Sequence, residues 1–321
     1  MQLNLRVLTQ EPDLLAPGHR LCPGCMEPVV VRQILQVAGP DTVVITATGC
    51  LEVSTTPYPY TAWRVPWLHS LFENAGATIA GVEAAGKAWA RKGKLNGERR
   101  LNLIAFAGDG GTYDIGLQSL SGAIERGHRF LYVCLNNEAY MNTGIQRSSA
   151  ALFGTWTTTS PVGRRVLGKP QGRKDLTRIV AAHGAPYVAQ ASPHLWKDLK
   201  RKVARALQTD GPTFINVLAP CPRGWRSDPE LGVELGRVAV ETCVWPIYEV
   251  DHGVWRLNHK PRGKKPVTEW LAVQGRFSHL LQPSHKDTLD QLQREVDEAW
   301  DHLLAMCERS EGRVQRPTEE E

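Results

Sequence analysis

The stretch AFAGDGGTYDIG (105–116) follows LNLIAFA (101–107), an apolar run long enough for one buried strand. Glycine permits close backbone approach and dihedrals closed to other residues. An aspartate set among glycines at the end of such a strand, Asp109, has to face water or a cation. Which of the two depends on what else the chain brings to that place.

Working outward, DTVVITATG (41–49), LNLIAFAG (101–108), HRFLYVCLN (128–136) and PTFINVLAP (212–220) read as buried strands, with PYVAQA (186–191) a weaker candidate. Between them lie helical segments at 27–38, 72–92, 115–127, 176–184 and 193–208. Strand–helix alternation predicts an α/β protein built on a doubly wound, mostly parallel sheet. The small residues of GATIAGVEAAG (76–86) suit close helix approach, either within the core or at a subunit interface.

The character changes after residue 245, so the reading divides the chain into an α/β domain, 1–245, and a C-terminal extension, 246–321. The extension is expected to hold a hairpin around Asp251–Gly253, a basic loop, HKPRGKKP (259–266), and an amphipathic tail helix over 285–310. That helix has apolar residues at 289, 292, 296, 300, 303 and 307. The basic loop reads as a solvated segment or a docking surface for an acidic partner. The terminal GRVQRPTEEE is expected to fray.

Composition narrows the class. Of 321 residues 42% are hydrophobic and 22% charged, with a net charge of +5, which is ordinary for a globular protein. No stretch reaches the roughly 18 consecutive apolar residues of a membrane span. The N-terminus lacks the regions of an export signal, and no basic face is interleaved with aromatics for nucleic acid. The expectation is a cytoplasmic protein that binds neither membrane nor nucleic acid. Its seven cysteines are then ligands, buried thiols or redox groups rather than disulfides.

Asn137 follows the next strong strand, 28 residues after Asp109, and 115–127 is long enough to be the crossover helix between the two strands. A right-handed βαβ unit sets both C-terminal ends on one sheet edge. Strands about 4.8 Å apart let two side-chain oxygens reach one ion. Mg²⁺ takes oxygen ligands and completes its shell with phosphate and water. Glycines beside Asp109 leave N–H groups free for phosphate near a helix N-terminus. GDG alone is also a bare strand-to-helix turn; GDG followed at this spacing by NNEAYMNTG (136–144) matches the thiamine diphosphate motif. The answer to the opening question is a metal-bridged diphosphate.

CPGC (22–25) precedes a helix, Cys50 ends one predicted strand and Cys221 another. In a parallel sheet, Cys50, Asp109, Asn137 and Cys221 emerge at the edge where open α/β sheets bind ligands. Four thiolates in this spacing fit Zn²⁺ or a [4Fe–4S] cluster, and a redox CxxC pair with two unrelated thiols stays open. Cys134, Cys243 and Cys307 read as buried, inert thiols.

CPGC, TGCLEVSTTPYPYTAW, HSLFENAGATIAGVEAA, GDGGTYDIGLQSLSGAIERGH, NNEAYMNTGIQRS and APCPRGW occur in that order, over roughly residues 15–280. Together they resemble the β subunits of pyruvate:ferredoxin oxidoreductases, within the 2-oxoacid:ferredoxin oxidoreductase family. The resemblance implies a [4Fe–4S] cluster on Cys22, Cys25, Cys50 and Cys221. It implies Mg²⁺ on Asp109, the Asn137 side chain and the Ala139 carbonyl. It lines the thiamine diphosphate with Glu27, Cys50, Gly108, Asp109, Gly110, Gly111, Asn137, Glu138, Ala139, Tyr140 and Asn142. Asn142, facing the reacting centre, and Glu27 are the catalytic candidates. Met26 departs from the glycine usual in the family and puts the local loop geometry in question.

The implied activity is oxidative decarboxylation of a 2-oxo acid, pyruvate, to acyl-CoA and CO₂, with electrons passed through the cluster to ferredoxin. Activation of the thiamine pyrimidine and further electron transfer need other chains, so α, γ and δ subunits are expected partners. Competing readings are a sister enzyme for oxalate or a branched 2-oxo acid, a non-catalytic electron-transfer or scaffold subunit, and a thiamine-dependent carboligase with a zinc site.

Overall fold

Five runs rich in Val, Ile, Leu and Phe become β1 (Thr42–Ala47), β3 (Asn102–Gly108), β4 (Phe130–Asn136), β5 (Tyr187–Ala191) and β6 (Pro212–Leu218) in a computed structural model that describes residues 10, 12–94 and 100–314. The sheet has eight strands in the order β2-β1-β3-β4-β6-β5-β7-β8. All pairings from β2 (Trp67–Ser70) to β5 are parallel. β7 (Ile247–Asp251) joins β5 antiparallel and turns through His252 and Gly253 into β8 (Val254–His259). The expected hairpin therefore forms, and it extends the main sheet.

Because side chains alternate across a strand, each strand feeds two cores. Val44, Ile104, Leu131, Val133 and Ile215 pack beneath α1 (Glu27–Ala38) and α6 (Trp196–Gln208). Ile45, Ala105, Tyr132 and Phe214 face the other way, under α3 (Ala75–Arg91), α4 (Leu117–Glu125), α5 (Leu176–Ala182) and α8 (Gly232–Glu241). Each of the Val, Ile, Leu and Phe side chains contributes about 1.5–3 kcal/mol by leaving water, so the central strands cannot slip register without exposing both faces.

β3 and β4 are neighbours in register, Gly108 opposite Leu135, with α4 crossing between them as the βαβ spacing predicts. Gly76 explains part of the small-residue run: a Cβ there would lie 2.8 Å from the Leu120 backbone nitrogen, so glycine allows α3 to approach α4. Ala77, Gly81, Ala84 and Ala85 lie on the exposed face of α3 instead.

The tail helix α10 (Lys286–Val314) buries Leu292, Val296, Trp300, Leu303 and Cys307 against the body, as its spacing predicts. It continues through Gly312–Val314, where fraying was expected; the rest of that terminal segment lies outside the described residues. Within the basic loop, Lys264 pairs with Asp297 of α10, and Lys265 pairs with Glu241 of α8 and Glu269 of α9 (Val267–Ala272). These two lysines fasten the loop to the body. No helix among the described residues is long and apolar enough to cross a membrane.

Candidate active site

β1, β3, β4 and β6 lie side by side and point the same way, so the segments that follow them share one edge. Cys50 opens a short helix, α2 (Cys50–Thr55), rather than ending its strand. Asp109 follows β3, the loop 137–142 follows β4, and Cys221 caps α7 (Pro222–Trp225) after β6. A cleft opens there, lined by Glu27, Cys50, Gly108, Asn137, Tyr140 and Asn142, among others. It lies at the edge where such sheets bind ligands.

Asp109 is completely buried just beneath this cleft. Its Oδ1 accepts the Asn137 backbone N–H at 3.2 Å, while Oδ2 has no hydrogen-bond partner. Asn137 in turn donates from Nδ2 to Glu27 Oε1 at 3.0 Å, and Glu27 Oε2 is likewise unpartnered. Burial pushes both carboxyl groups up to about 7, against the pull of the Asn137 amide on Glu27 and of the Ser148 hydroxyl, then the Asn137 N–H, on Asp109. Two buried acids with orphaned oxygens are costly as carboxylates unless they take up a proton or a cation reaches them. Carboxylate, amide oxygen and the nearby Ala139 carbonyl form a donor set suited to a hard divalent ion.

The glycines shape the floor. Gly110–Ile115 forms a π-helical turn between β3 and α4, a form that often occurs at functional sites. A Cβ on Gly110 would sit 2.5 Å from the Tyr140 ring, and one on Gly111 would sit 2.7 Å from the Phe72 carbonyl oxygen. At Gly108 a Cβ would meet nothing within 4 Å, consistent with a residue that faces the cleft. Positions 110 and 111 thus have room only for glycine, and the Gly108 backbone borders the cleft.

Cys22 is exposed, Cys25 and Cys50 are half-buried, and Cys221 is buried. In the CPGC turn the Cys25 N–H donates to the Cys22 carbonyl at 3.1 Å. Gly24, at φ 76°, lies against the Pro229 backbone, where no Cβ would fit. Met26 fills the next space: it is buried, with its sulfur against Gly232 at the start of α8. The turn accommodates this departure from the family glycine.

Burial raises the Cys25 and Cys50 thiols strongly, with the Glu27 carboxylate next in effect and neighbouring cysteines adding to it; burial pushes Cys221 up to about 11. The Asn142 side-chain amide, which shares the cleft with Cys50, pulls that thiol back slightly. The four thiols therefore share one electrostatic neighbourhood, although no three His, Cys, Asp or Glu side chains among the described residues close into a single-ion shell. Cys134, Cys243 and Cys307 are buried elsewhere, in keeping with the sequence reading.

Glu138 departs from the expected placement. Its side chain does not line the cleft; its carboxylate turns inward, where Arg173 and Arg276 donate to its two oxygens. Trp225, for which the sequence suggested no role, donates its indole N–H to the Asn137 carbonyl at 2.7 Å. Phe72 was also missed as a wall of the cleft. Both lie in quoted motifs, APCPRGW and HSLFENAGATIAGVEAA, and that was their only sequence signal.

Fold and cleft define a thiamine enzyme's pyrophosphate-binding half: residues 47–217 match the family described as thiamine pyrophosphate enzyme, C-terminal TPP binding domain. Over 316 residues the chain is 51% identical to pyruvate synthase subunit PorB of Thermotoga maritima, covering 96% of this chain and 98% of that one. The PorB subunit of Methanocaldococcus jannaschii is 52% identical over 89% of this chain and 95% of its own length. The ketoisovalerate oxidoreductase subunit VorB of Pyrococcus furiosus is 41% identical over 91% and 92%. The chain belongs to this family, the β subunits of 2-oxoacid:ferredoxin oxidoreductases of the pyruvate synthase type. A solved 2-oxoglutarate:ferredoxin oxidoreductase from Magnetococcus marinus shares the fold, with a TM-score of 0.51 and 23% identity over 67% of this chain and 76% of that one.

Proposed function

We propose that the chain binds thiamine diphosphate, Mg²⁺ and a [4Fe–4S] cluster as one subunit of a complex that oxidatively decarboxylates pyruvate. The products are acetyl-CoA and CO₂, and the electrons leave for ferredoxin. The observation that carries this reading is the meeting of Asp109, Asn137, Cys50 and Cys221, which follow adjacent parallel strands, with Glu27 and the CPGC turn at the start of α1. Close similarity to PorB subunits supports pyruvate, and the VorB relative keeps a branched 2-oxo acid as the alternative.

In this reading Asp109, the Asn137 amide oxygen and the Ala139 carbonyl hold the metal, and Gly108–Gly111 and Tyr140 bracket the diphosphate. Glu27 fixes the Asn137 amide: because Nδ2 is committed to the carboxylate, Oδ1, which accepts the Ala139 N–H at 3.3 Å, turns its remaining lone pair to the cation. Asn142 and Glu27 line the cleft and carry the catalytic polar contacts to substrate and cofactor. Cys22, Cys25, Cys50 and Cys221 hold the cluster, an all-thiolate donor set that suits iron–sulfur chemistry. When bound, the thiamine supplies the carbanion stabilisation that the side chains lack. Partner subunits complete the pyrimidine site and the onward electron path.

The test is anaerobic co-purification with its partner subunits, then CO₂ release and ferredoxin reduction measured with pyruvate, a branched 2-oxo acid and oxalate. Preference for pyruvate is expected. Preference for either other acid moves the assignment to a sister enzyme, and inactivity toward all three rejects it.

A further inference from the structure

Residues 274–277 belong to the segment after β8, far in sequence from the cleft, yet they reach the loop that carries Asn137 and Ala139. Arg276 is almost completely buried and its guanidinium lies 4.2 Å from the Trp225 ring centroid and 4.8 Å from that of Phe277. Its Nε donates to Gln274 Oε1 at 2.9 Å, and its Nη2 donates to Glu138. Gly275 permits this approach, since a Cβ there would lie 2.8 Å from Arg226 Cβ.

Glu138 needs such support. It is fully buried, and its φ of 65° is in the left-handed region that a side chain rarely adopts unless its surroundings hold it there. Arg173, anchored on the Ala150 and Val244 carbonyls at 2.9 and 2.8 Å, takes one carboxylate oxygen and Arg276 the other. On the preceding residue the Trp225 indole holds the Asn137 carbonyl. The same Trp225 ring is the platform for Arg276, and Gly224 beside it packs against Met141 of the loop.

We propose that Arg276 is a positioning residue for the cofactor loop: it holds Glu138 and seats Trp225, so that Asn137 and Ala139 meet the metal already oriented. This rests on the metal–diphosphate reading of the cleft. Preorganisation of this kind acts on affinity for the cofactor, because the loop no longer has to be ordered on binding.

The experiment uses the assembled complex with R276K, which keeps the charge but loses the planar fork and ring stacking, and W225F, which keeps the ring but loses the N–H donor. Calorimetry with thiamine diphosphate in the presence of Mg²⁺ should show affinity about tenfold weaker in each, the scale of one lost hydrogen bond. Saturating cofactor should restore kcat to within about twofold, with iron content near wild type; W225F should also lower Tm, since phenylalanine underfills the buried indole site. D109N is run alongside as the control on the underlying reading: unchanged affinity there rejects the metal site itself. If D109N loses affinity while both R276K and W225F bind as wild type, the positioning role is overturned. Failure of both variants to assemble also overturns it, since the contacts then serve the core and not the loop.

Discussion

Asn137 reaches Glu27 across 110 residues of chain, its Nδ2 donating to Oε1 at 3.0 Å. This bond joins the loop after β4 to the first turn of α1, immediately after the CPGC turn. The thiol site and the Asp109 site are therefore one structure, with Asn137 between two buried acids. Disturbing either half should be felt in the other.

Asp109→Asn keeps the acceptor for the Asn137 N–H and removes a buried charge. Thiamine diphosphate affinity measured calorimetrically with Mg²⁺ should fall by more than about tenfold, since a neutral oxygen serves a hard cation poorly. The Tm of the cofactor-free protein should hold or rise, because burial disfavours the charged form. A lower Tm with intact cofactor affinity would contradict the assignment.

The glycines should separate by location. Gly111→Ala drives a Cβ towards the Phe72 carbonyl and should cost about 1–3 kcal/mol in urea unfolding, the usual cost of overpacking. Gly108→Ala has open space, so its unfolding midpoint should match wild type while cofactor binding weakens. Equal loss of stability in both would show that the floor is a packing feature only.

Cys22, Cys25, Cys50 and Cys221 should each be required for iron. Anaerobically prepared complex should carry about four irons and four sulfides on this subunit, and Cys221→Ser should lose most of them. Cys134→Ala, Cys243→Ser and Cys307→Ser should leave iron content unchanged. Stoichiometric zinc without sulfide would replace the cluster by a structural zinc site.

Part of the acid sensitivity should arise at the hairpin. The paired bonds from Arg205 at 2.8 and 2.9 Å hold the Asp251 carboxyl down to about 2, from an ordinary value of 3.8. A depressed folded pKa means the contribution is complete above about pH 4 and vanishes as pH falls through 4 to 2. Asp251→Asn should lower Tm at pH 6, and the gap from wild type should close by pH 2. A gap independent of pH would mean that shape, and not charge, accounts for the loss.

Five of the six parallel strands were legible because each is an apolar run covered on both faces, and Leu292, Val296 and Trp300 betray the tail helix by spacing alone. β2 was not legible: Trp67–Ser70 is a four-residue edge strand, half-exposed, without alternation. Nor was the π-helical turn, whose form depends on Tyr140 and Phe72 closing on Gly110 and Gly111 from other parts of the chain. At the site, the donors Asp109 and Asn137 stood out through strand ends and spacing. Glu138 did not, because its inward turn answers to Arg173 and Arg276, which lie 35 and 138 residues away. Contacts of that range leave no periodic mark.

The reach of Arg276 back to Glu138 also gives the molecule an order of birth. All six parallel strands have been synthesised once Leu218 is made, and the sheet can form on the emerging chain. Until residue 276 clears the ribosome, however, Glu138 has only Arg173 for company and the loop beside it lacks its outer brace. The loop beside the cleft thus gains its last brace 58 residues of chain after the final parallel strand, so the sheet precedes the fastening of the loop it carries.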